Sequence, residues 1–334
     1  MPMRILWVHN IPSKALATCR FVHQLASEVR LLGSTVDLHE TGSLRGVRRL
    51  LAARRAVTEK SCEFDLAHAQ FGSACAVVTS RARCPRVLTL RGTELLGCDT
   101  GAAWHRLHGW AARNMTRTSL PAFDRVIVMS HRMREELHRH HSRDQDVEVL
   151  PDGIDLGKFA PRDQQGARER LGFTGDHRPW VLFASQRDEN PVKRPHLAVA
   201  AVAAAARRRP ELVLKSISGV PHEEIPTWMN AASVLLLTST REGWPNVVKE
   251  ALASNVPFVS TDVSDLARIA VVEPSCTVAP PDPEALAAGI LRAVDLPRST
   301  TLRSHVESMS LARIAQSLLK IYRSVLESPC KTAA

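Results

Sequence analysis

The sequence predicts an α/β protein of two domains, each with a mainly parallel sheet covered by helices on both faces. Three observations carry this. Short apolar runs of strand length alternate with helix-length amphipathic segments from the first residues onward, the pattern of parallel strands joined by crossover helices. Aromatic residues make up 4% of the chain while Ala, Leu and Val abound, which suits helices packed on sheets better than an aromatic-rich sandwich. At 334 residues and 44% hydrophobic content, the chain is long enough to bury two cores.

The elements follow in order. RILWVHN reads as the first strand, then a helix around Ala17 to Leu32, the strand TVDLH and a helix around Leu44 to Glu59. The alternation continues through FDLAHAQ, a helix after Phe71, RVLTLRG, a helix around Ala103 to Thr118, RVIVMS and a helix from His131. After VEVLPDGID the stretch KFAPRDQQGARER is polar, carries Pro and Gly, and reads as the connection between domains. A second series opens at WVLFASQ and holds LVLKSIS, SVLLLTS, PFVSTD and a strand near Val271. Its helices fall at Ala198 to Arg208, Pro226 to Ala232, Pro245 to Ser254 and Pro283 to Val294. Residues 1–156 and 157–308 are thus expected to form two Rossmann-like domains whose strand C-terminal ends face a cleft.

Seven cysteines are scattered without a CxxC pair, which argues against a disulfide framework or a zinc ribbon. With no apolar stretch long enough for a signal peptide or a membrane span, a cytoplasmic location is expected. The net charge is +10, and residues 1–160 hold 23 Lys+Arg against 16 Asp+Glu. Such a lopsided positive field fits an anionic substrate, an acidic membrane or nucleic acid, and does not choose among them. Scarce strand aromatics and the lack of any recognised binding motif argue against nucleic acid, and no GxGxxG follows a strand, which argues against a dehydrogenase.

TREGWPNVVKEALASN, Thr240 to Asn255, sets Glu242 and Glu250 on either side of a Gly-Trp-Pro-Asn turn. Pro245 suits a first helical turn, so Glu242 lies on a loop and Glu250 inside a helix. The amides of Asn246 and Val247 at that N-terminus, with the helix dipole, make a phosphate site. Glu250 can accept two hydroxyls of a ribose, while Glu242 reaches past the phosphate to whatever it carries.

LTSTREGWPNVVKEALASNVPFVSTD resembles the signature of glycosyltransferase family 4, whose two-domain fold, GT-B, carries a Glu-x7-Glu motif at the nucleotide-sugar site. The resemblance extends through FDLAHAQFG, VLTLRGTEL, FDRVIVMS, VEVLPDGIDLGKFAP, SQRDENPVKR, SGVPHEEIPTWMNAASVLLLTS and a terminal helix ending KIYRSVL. It implies two domains facing a central cleft, with a helix over 309–328 packing back toward the first. It also implies a retaining hexosyltransferase that needs no metal or other cofactor and uses a UDP-, GDP- or dTDP-linked sugar as cosubstrate. The acceptor hydroxyl would belong to a glycan, a lipid-linked sugar or a small natural product.

By position, the resemblance assigns Glu250 to the ribose and Glu242 to hydroxyls of the transferred sugar. Arg187 and Lys193 match the basic pair that embraces the donor diphosphate, where fixed cations stabilise the charge of the leaving group. Gly243, Trp244, Asn246 and Val247 line the same site. Ser218 to His222, with Gly219 and Val220, frame the base mainly through backbone groups, and Pro221 and His222 equally suit plain loop residues. Arg194 reads as surface. No DxD closes a strand, so cations on side chains stand where a metal would. HRHH at 138–141 reads as a solvated helical end.

In the first domain, His68, Arg91 and Glu94 close two strands on the acceptor or diphosphate side. His68 matches a family histidine, and a buried structural histidine fits as well. Arg91 departs from the common histidine; it stays protonated, so it holds an anion and cannot act as a base. Glu94 would orient that guanidinium or an acceptor hydroxyl. The loop Asn10 to Lys14 lacks the family's glycine pair, and Lys14 offers a charge in its place. Pro245 is a further departure, since many members have glycine there. Rival readings are a nucleotide-sugar epimerase or phosphorylase of the same fold and a non-catalytic nucleotide-sugar binder.

SLRGVRRLLAARRAV sets Arg45, Arg48, Arg49 and Arg55 on one side and Leu44, Val47 and Leu51 on the other. The apolar stripe is expected to pack on the sheet, with membrane contact as the second reading. Trp104 and Trp110 in AAWHRLHGWAARNM take the same two readings, core packing first and membrane contact second, and both segments are the candidates for surface attachment if the acceptor is lipid-linked.

Overall fold

The structure, a computed structural model, describes residues 2–11, 20–97, 103–140, 147–185 and 191–328. The chain divides into two compact units, Met1–Gly153 with Leu311–Ala334, and Ile154–Ser310. Lys14 and Arg187 lie outside the described residues, as do Cys19, Cys98, His141 and the side chain of Trp104.

Unit 1 holds a parallel sheet of β1 (Arg4–His9), β2 (Thr35–Glu40), β3 (Leu66–Ala69), β4 (Arg86–Leu90), β5 (Arg125–Val128) and β6 (Val147–Val149), in the order β2-β1-β3-β4-β5-β6. Ile5 to Val8 of β1 are fully buried, as expected of a central strand covered on both faces. The helices are α1 (Arg20–Leu31), α2 (Val47–Lys60), α3 (Ser73–Thr79), α4 (Thr93–Leu96), α5 (Ala103–Ser119) and α6 (His131–His140). Right-handed crossovers put α1 on one face of the sheet and α2, α3 and α5 together on the other. The short α3 packs against both α2 and α5.

Unit 2 carries β7 (Trp180–Ala184), β8 (Val213–Ile217), β9 (Val234–Leu237), β10 (Phe258–Thr261) and β11 (Thr277–Ala279), parallel and ordered β11-β10-β9-β7-β8. Its helices are α7 (Gln164–Arg170), α8 (Pro195–Ala206), α9 (Ile225–Ala231), α10 (Asn246–Ala253), α11 (Leu266–Val272), α12 (Pro283–Asp295) and α13 (Ser304–Glu307). Helices α8 and α12 pack together over a core that includes Val181, Phe183, Leu236, Val259 and Ile290.

Three sequence expectations are corrected here. The polar stretch after Ala160 is not a bare connection: Asp163 caps α7 by accepting from the Gly166 amide, and the buried Arg168 stacks on Trp180 while its Nε donates to the Ala231 carbonyl. The strand near Val271 is instead helix α11, with Leu266 and Ile269 buried one turn apart and the β-branched Val271 and Val272 facing solvent. The division between units falls at Gly153/Ile154 and not at 156/157, because the Ile154 amide donates to the Met309 carbonyl and Ile154 bridges Ser310.

The last helix, α14 (Leu311–Glu327), belongs to unit 1 and packs on α1. It delivers Tyr322 into the core, where the hydroxyl accepts from Trp7 Nε1 at 3.0 Å and meets His68 Nδ1 at 2.5 Å. His68 Nε2 meets Thr89 Oγ1 at 2.7 Å. Burial, then the nearby Arg91, holds the His68 imidazolium well below its ordinary range. Burial likewise lowers His9 and His39.

A histidine kept neutral in the fold binds a proton once unfolded, so its stabilising effect is present above the unfolded value near 6.5 and is lost as pH falls. Acidification from about pH 7 to pH 5 is therefore expected to destabilise unit 1 by about 1–2 kcal/mol through His68 alone. Melting curves of the wild type and of His68→Gln across that range check this; equal pH slopes in the two proteins contradict it.

Candidate functional site

In an open parallel sheet, ligands gather where successive crossovers leave in opposite directions, beyond the strand carboxyl ends. In unit 2 that switch lies between β7 and β9. The chain after β9 forms a loop, Thr238 to Pro245, that ends at α10. The segment after β7 returns beside it through Val192 and Lys193, where the Thr240 amide donates to the Val192 carbonyl at 2.8 Å.

Lys193 and Glu242, 49 residues apart in sequence, meet at this point: Lys193 Nζ donates to Glu242 Oε1 at 2.6 Å. Ser239 Oγ donates to the same oxygen at 2.7 Å. With Oε1 doubly engaged, no hydrogen bond to Oε2 is formed among the described residues, and a carboxylate oxygen can accept from a ligand hydroxyl. The pair sits half-buried, at 22% and 18% side-chain exposure, where screening by water is reduced but a ligand still has access.

Arg194 underlies this arrangement and is not the surface residue expected. Its Nε and Nη2 donate to the carbonyls of Thr238 and Ser239, at 2.6 and 3.0 Å, and Thr238 Oγ1 donates back to the Lys193 carbonyl at 2.5 Å. Arg194 is held in the left-handed region (φ 49°) directly before Pro195, which excludes the right-handed helical conformation there. The two loops are thus stitched together by a half-buried guanidinium, on a residue whose position before proline marked it in the sequence.

Helix α10 begins at Asn246, so Pro245 is its N-cap in an extended conformation (ψ 115°) and not its first helical residue. No side chain caps the helix, and the amides of Asn246 and Val247 have no acceptor among the described residues. Uncapped amides and the helix dipole leave partial positive charge at this end. Trp244 is buried, with Lys249 Nζ 5.6 Å from its ring centroid. Gly243 is buried and its carbonyl accepts from Ser264 Oγ at 2.7 Å.

Glu250, one turn into α10, has its Oε1 3.4 Å from His222 Nε2. His222 Nδ1 in turn lies 2.7 Å from Lys158 Nζ. An ammonium can only donate, so Nδ1 accepts and the ring carries its proton on Nε2, toward Glu250. Phe159 meets the ring edge-on at 5.6 Å. His222 is therefore no plain loop residue. Gly219 precedes it at φ +65°, a conformation that favours glycine and turns the chain after β8, with Val220 half-buried beside it.

In unit 1 the Arg91 guanidinium is already engaged. It lies 3.2 to 3.3 Å from the Asp152 carboxylate, donates to the backbone carbonyl of Gln70, and reaches Gln70 Oε1 at 3.1 Å. The ring centroids of Phe21 and Phe71 lie 4.8 and 4.9 Å from its central carbon. Glu94 accepts from the Arg91 backbone amide at 2.6 Å rather than orienting the guanidinium. His68 sits within β3, not at its end, and belongs to the Trp7–Tyr322–Thr89 cluster. Asn10 is half-buried just after β1. The structure thus joins Lys193, Ser239, Glu242 and the α10 terminus in unit 2, while Arg91 and His68 stand among neighbours that satisfy them.

Two family models match the chain, "Glycosyltransferase Family 4" over residues 15–158 and "Glycosyl transferases group 1" over residues 213–295. The chain is a glycosyltransferase of family 4 type. A Bacillus subtilis (strain 168) protein assigned to teichuronic acid biosynthesis as glycosyltransferase TuaC is 29% identical to this family 4 chain over 245 residues, covering 68% of the chain and 61% of the relative. The match thus spans about three fifths of that relative's length. Among solved structures, sucrose-phosphate synthase from Thermosynechococcus elongatus superposes with a TM-score of 0.76 at 19% identity, over 97% of this chain and 99% of that one. The Anabaena protein Alr3699/HepE, solved with UDP and glucose, gives 0.68 at 16% identity, over 96% and 100%. At these identities the likeness concerns the fold, the GT-B pair of parallel-sheet α/β domains.

Proposed function

We propose that this family 4 chain is a retaining glycosyltransferase that moves a hexose-type sugar from a nucleoside diphosphate to a hydroxyl of a glycan, lipid-linked or small-molecule acceptor, without a metal. The observation that carries the reading is the meeting of Lys193, Ser239 and Glu242 at the β7/β9 switch, with the uncapped start of α10 next in the chain and Glu250 one turn inside it. The Anabaena protein Alr3699/HepE, a neighbour in fold, was solved with UDP and glucose, which supports a nucleotide-sugar donor. The free thiols at Cys62, Cys75, Cys84 and Cys276 accord with work in the reducing cytoplasm.

In this reading Glu250 accepts from the ribose hydroxyls, and the Asn246 and Val247 amides face the diphosphate with Lys193 and, by resemblance, Arg187. Glu242 Oε2 accepts from a hydroxyl of the sugar and fixes its orientation. The bond from the anomeric carbon to the phosphate oxygen breaks, and the departing diphosphate gains charge that the fixed cations and amides stabilise. On the same face, the acceptor oxygen bonds to that carbon and passes its proton to a diphosphate oxygen. The charge of the leaving group is then met by side-chain cations and backbone amides, and the step as proposed uses no metal.

The test is a transfer assay with labelled UDP-, GDP- and dTDP-sugars, chosen by thermal shift, and NMR of the product. A product with the donor's anomeric configuration is expected; an inverted anomer, or conversion of the donor with no acceptor present, overturns the reading. Glu250→Gln is expected to raise the donor KM about 10- to 100-fold, the effect of weakening charge-assisted hydrogen bonds, with kcat changed little. A KM within threefold of wild type removes Glu250 from the ribose.

A further inference from the structure

The apolar stripe of α2 does not lie against the sheet. Val57 is the buried residue of that helix, while Val47 and Leu51, one turn apart, stand 72% and 54% exposed. Arg55 continues the stripe a turn further, and Arg45, Arg48 and Arg49 are exposed around it. On α5 the same combination recurs: Leu107 and Trp110 are 56% and 58% exposed, and Arg106, Arg113 and Arg117 flank Trp110 at helical spacing. This corrects the expectation that Val47, Leu51 and Trp110 pack inward.

Both helices occupy one face of the unit 1 sheet, on either side of α3. The only carboxylate on α2 is Glu59, paired with Arg55 at 2.8 Å, and α5 carries none. Large apolar side chains are thus presented on a single surface among guanidinia that, Glu59 apart, no carboxylate of α2 or α5 neutralises.

We propose that this α2–α5 face docks on the headgroup layer of an anionic lipid bilayer. Arginines alone would suit any polyanion; what selects a membrane is the set of exposed Val47, Leu51, Leu107 and Trp110 standing among them. Apolar side chains enter the boundary between headgroups and acyl chains while guanidinia meet lipid phosphates, and an indole is suited to that depth. Among the described residues no helix is long and apolar enough to cross the membrane, so the contact is peripheral. The proposal does not depend on the transfer reaction or on the donor assignment in unit 2.

The test is co-sedimentation of the full chain with vesicles of equal parts phosphatidylglycerol and phosphatidylcholine, with pure phosphatidylcholine vesicles and with heparin. Binding to the anionic vesicles and much weaker binding to the neutral ones is expected. Leu51→Asn with Trp110→Ser, and separately Arg48→Gln with Arg49→Gln, should each weaken vesicle binding about tenfold, with the circular dichroism spectrum and soluble-acceptor activity unchanged. Single Leu51→Asn and Arg49→Gln variants provide the same comparison where a double variant folds poorly. Absence of binding to anionic vesicles overturns the proposal. So does loss through the arginine variants alone while Leu51→Asn/Trp110→Ser binds as wild type, because such a surface reads charge only; heparin retention with no vesicle binding would assign it to a soluble polyanion instead.

Discussion

Glu242→Gln is expected to lower kcat/KM about 100-fold while leaving the fold intact. The carboxylate is positioned by Lys193 and Ser239 through Oε1 alone, which fixes the direction of Oε2. An amide keeps the size and still accepts at one oxygen, but it loses the charge that draws Lys193 in. It also presents an NH2 group where an acceptor is required, toward either the sugar hydroxyl or the Lys193 ammonium. Because Lys193 lies 2.6 Å away, the two residues act as a unit, and Lys193→Met combined with Glu242→Gln should cost much less than the sum of the single effects. Steady-state kinetics of the four proteins of this cycle, with melting temperatures as a control on folding, decide it. Activity of Glu242→Gln within threefold of wild type would exclude the residue from the sugar site.

How much of this was readable in the residues varies with the kind of information involved. The strands were legible because buried parallel strands are near-continuous apolar runs, as in RILWV of β1 and VLLL of β9. The loop position of Glu242 and the helical position of Glu250 were legible too, since Gly-Trp-Pro-Asn separates them within a few residues. Val271 shows where local reading fails: a β-branched run of strand character becomes α11 because the partners of Leu266 and Ile269 decide its conformation.

Partners distant in sequence were not legible. Lys158 reaches His222 across 64 residues, and Arg91 reaches Asp152 across 61, and neither spacing leaves a mark in the chain. Helix α2 adds a different lesson. Its pattern set Leu44, Val47 and Leu51 apart from the arginines, yet Arg55 lies one turn beyond Leu51 on the same stripe, and periodicity does not say which side meets the sheet. Val57, outside the expected stripe, took the inward position and left Val47 and Leu51 to solvent.

Arg91→Met is expected to destabilise unit 1 by about 3 kcal/mol, the cost of breaking a largely buried ion pair from one side. Asp152 is 11% exposed, so its charge is poorly hydrated once the guanidinium is gone. The carbonyl and side-chain oxygens of Gln70 lose their donor at the same time, and Phe21 and Phe71 lose the cation near their rings. Hydrogen exchange at the amides of β3 and β4 reports this within unit 1, and protection there should fall by about two orders of magnitude. Replacing Asp152 by Asn in the same chain removes the charge that the methionine cannot answer, and should restore part of the loss. Unchanged protection in Arg91→Met would mean that the guanidinium is held for a ligand and not for the fold. The sign of this one measurement therefore separates an anion-binding arginine from a structural one, a distinction that the residue type alone left open.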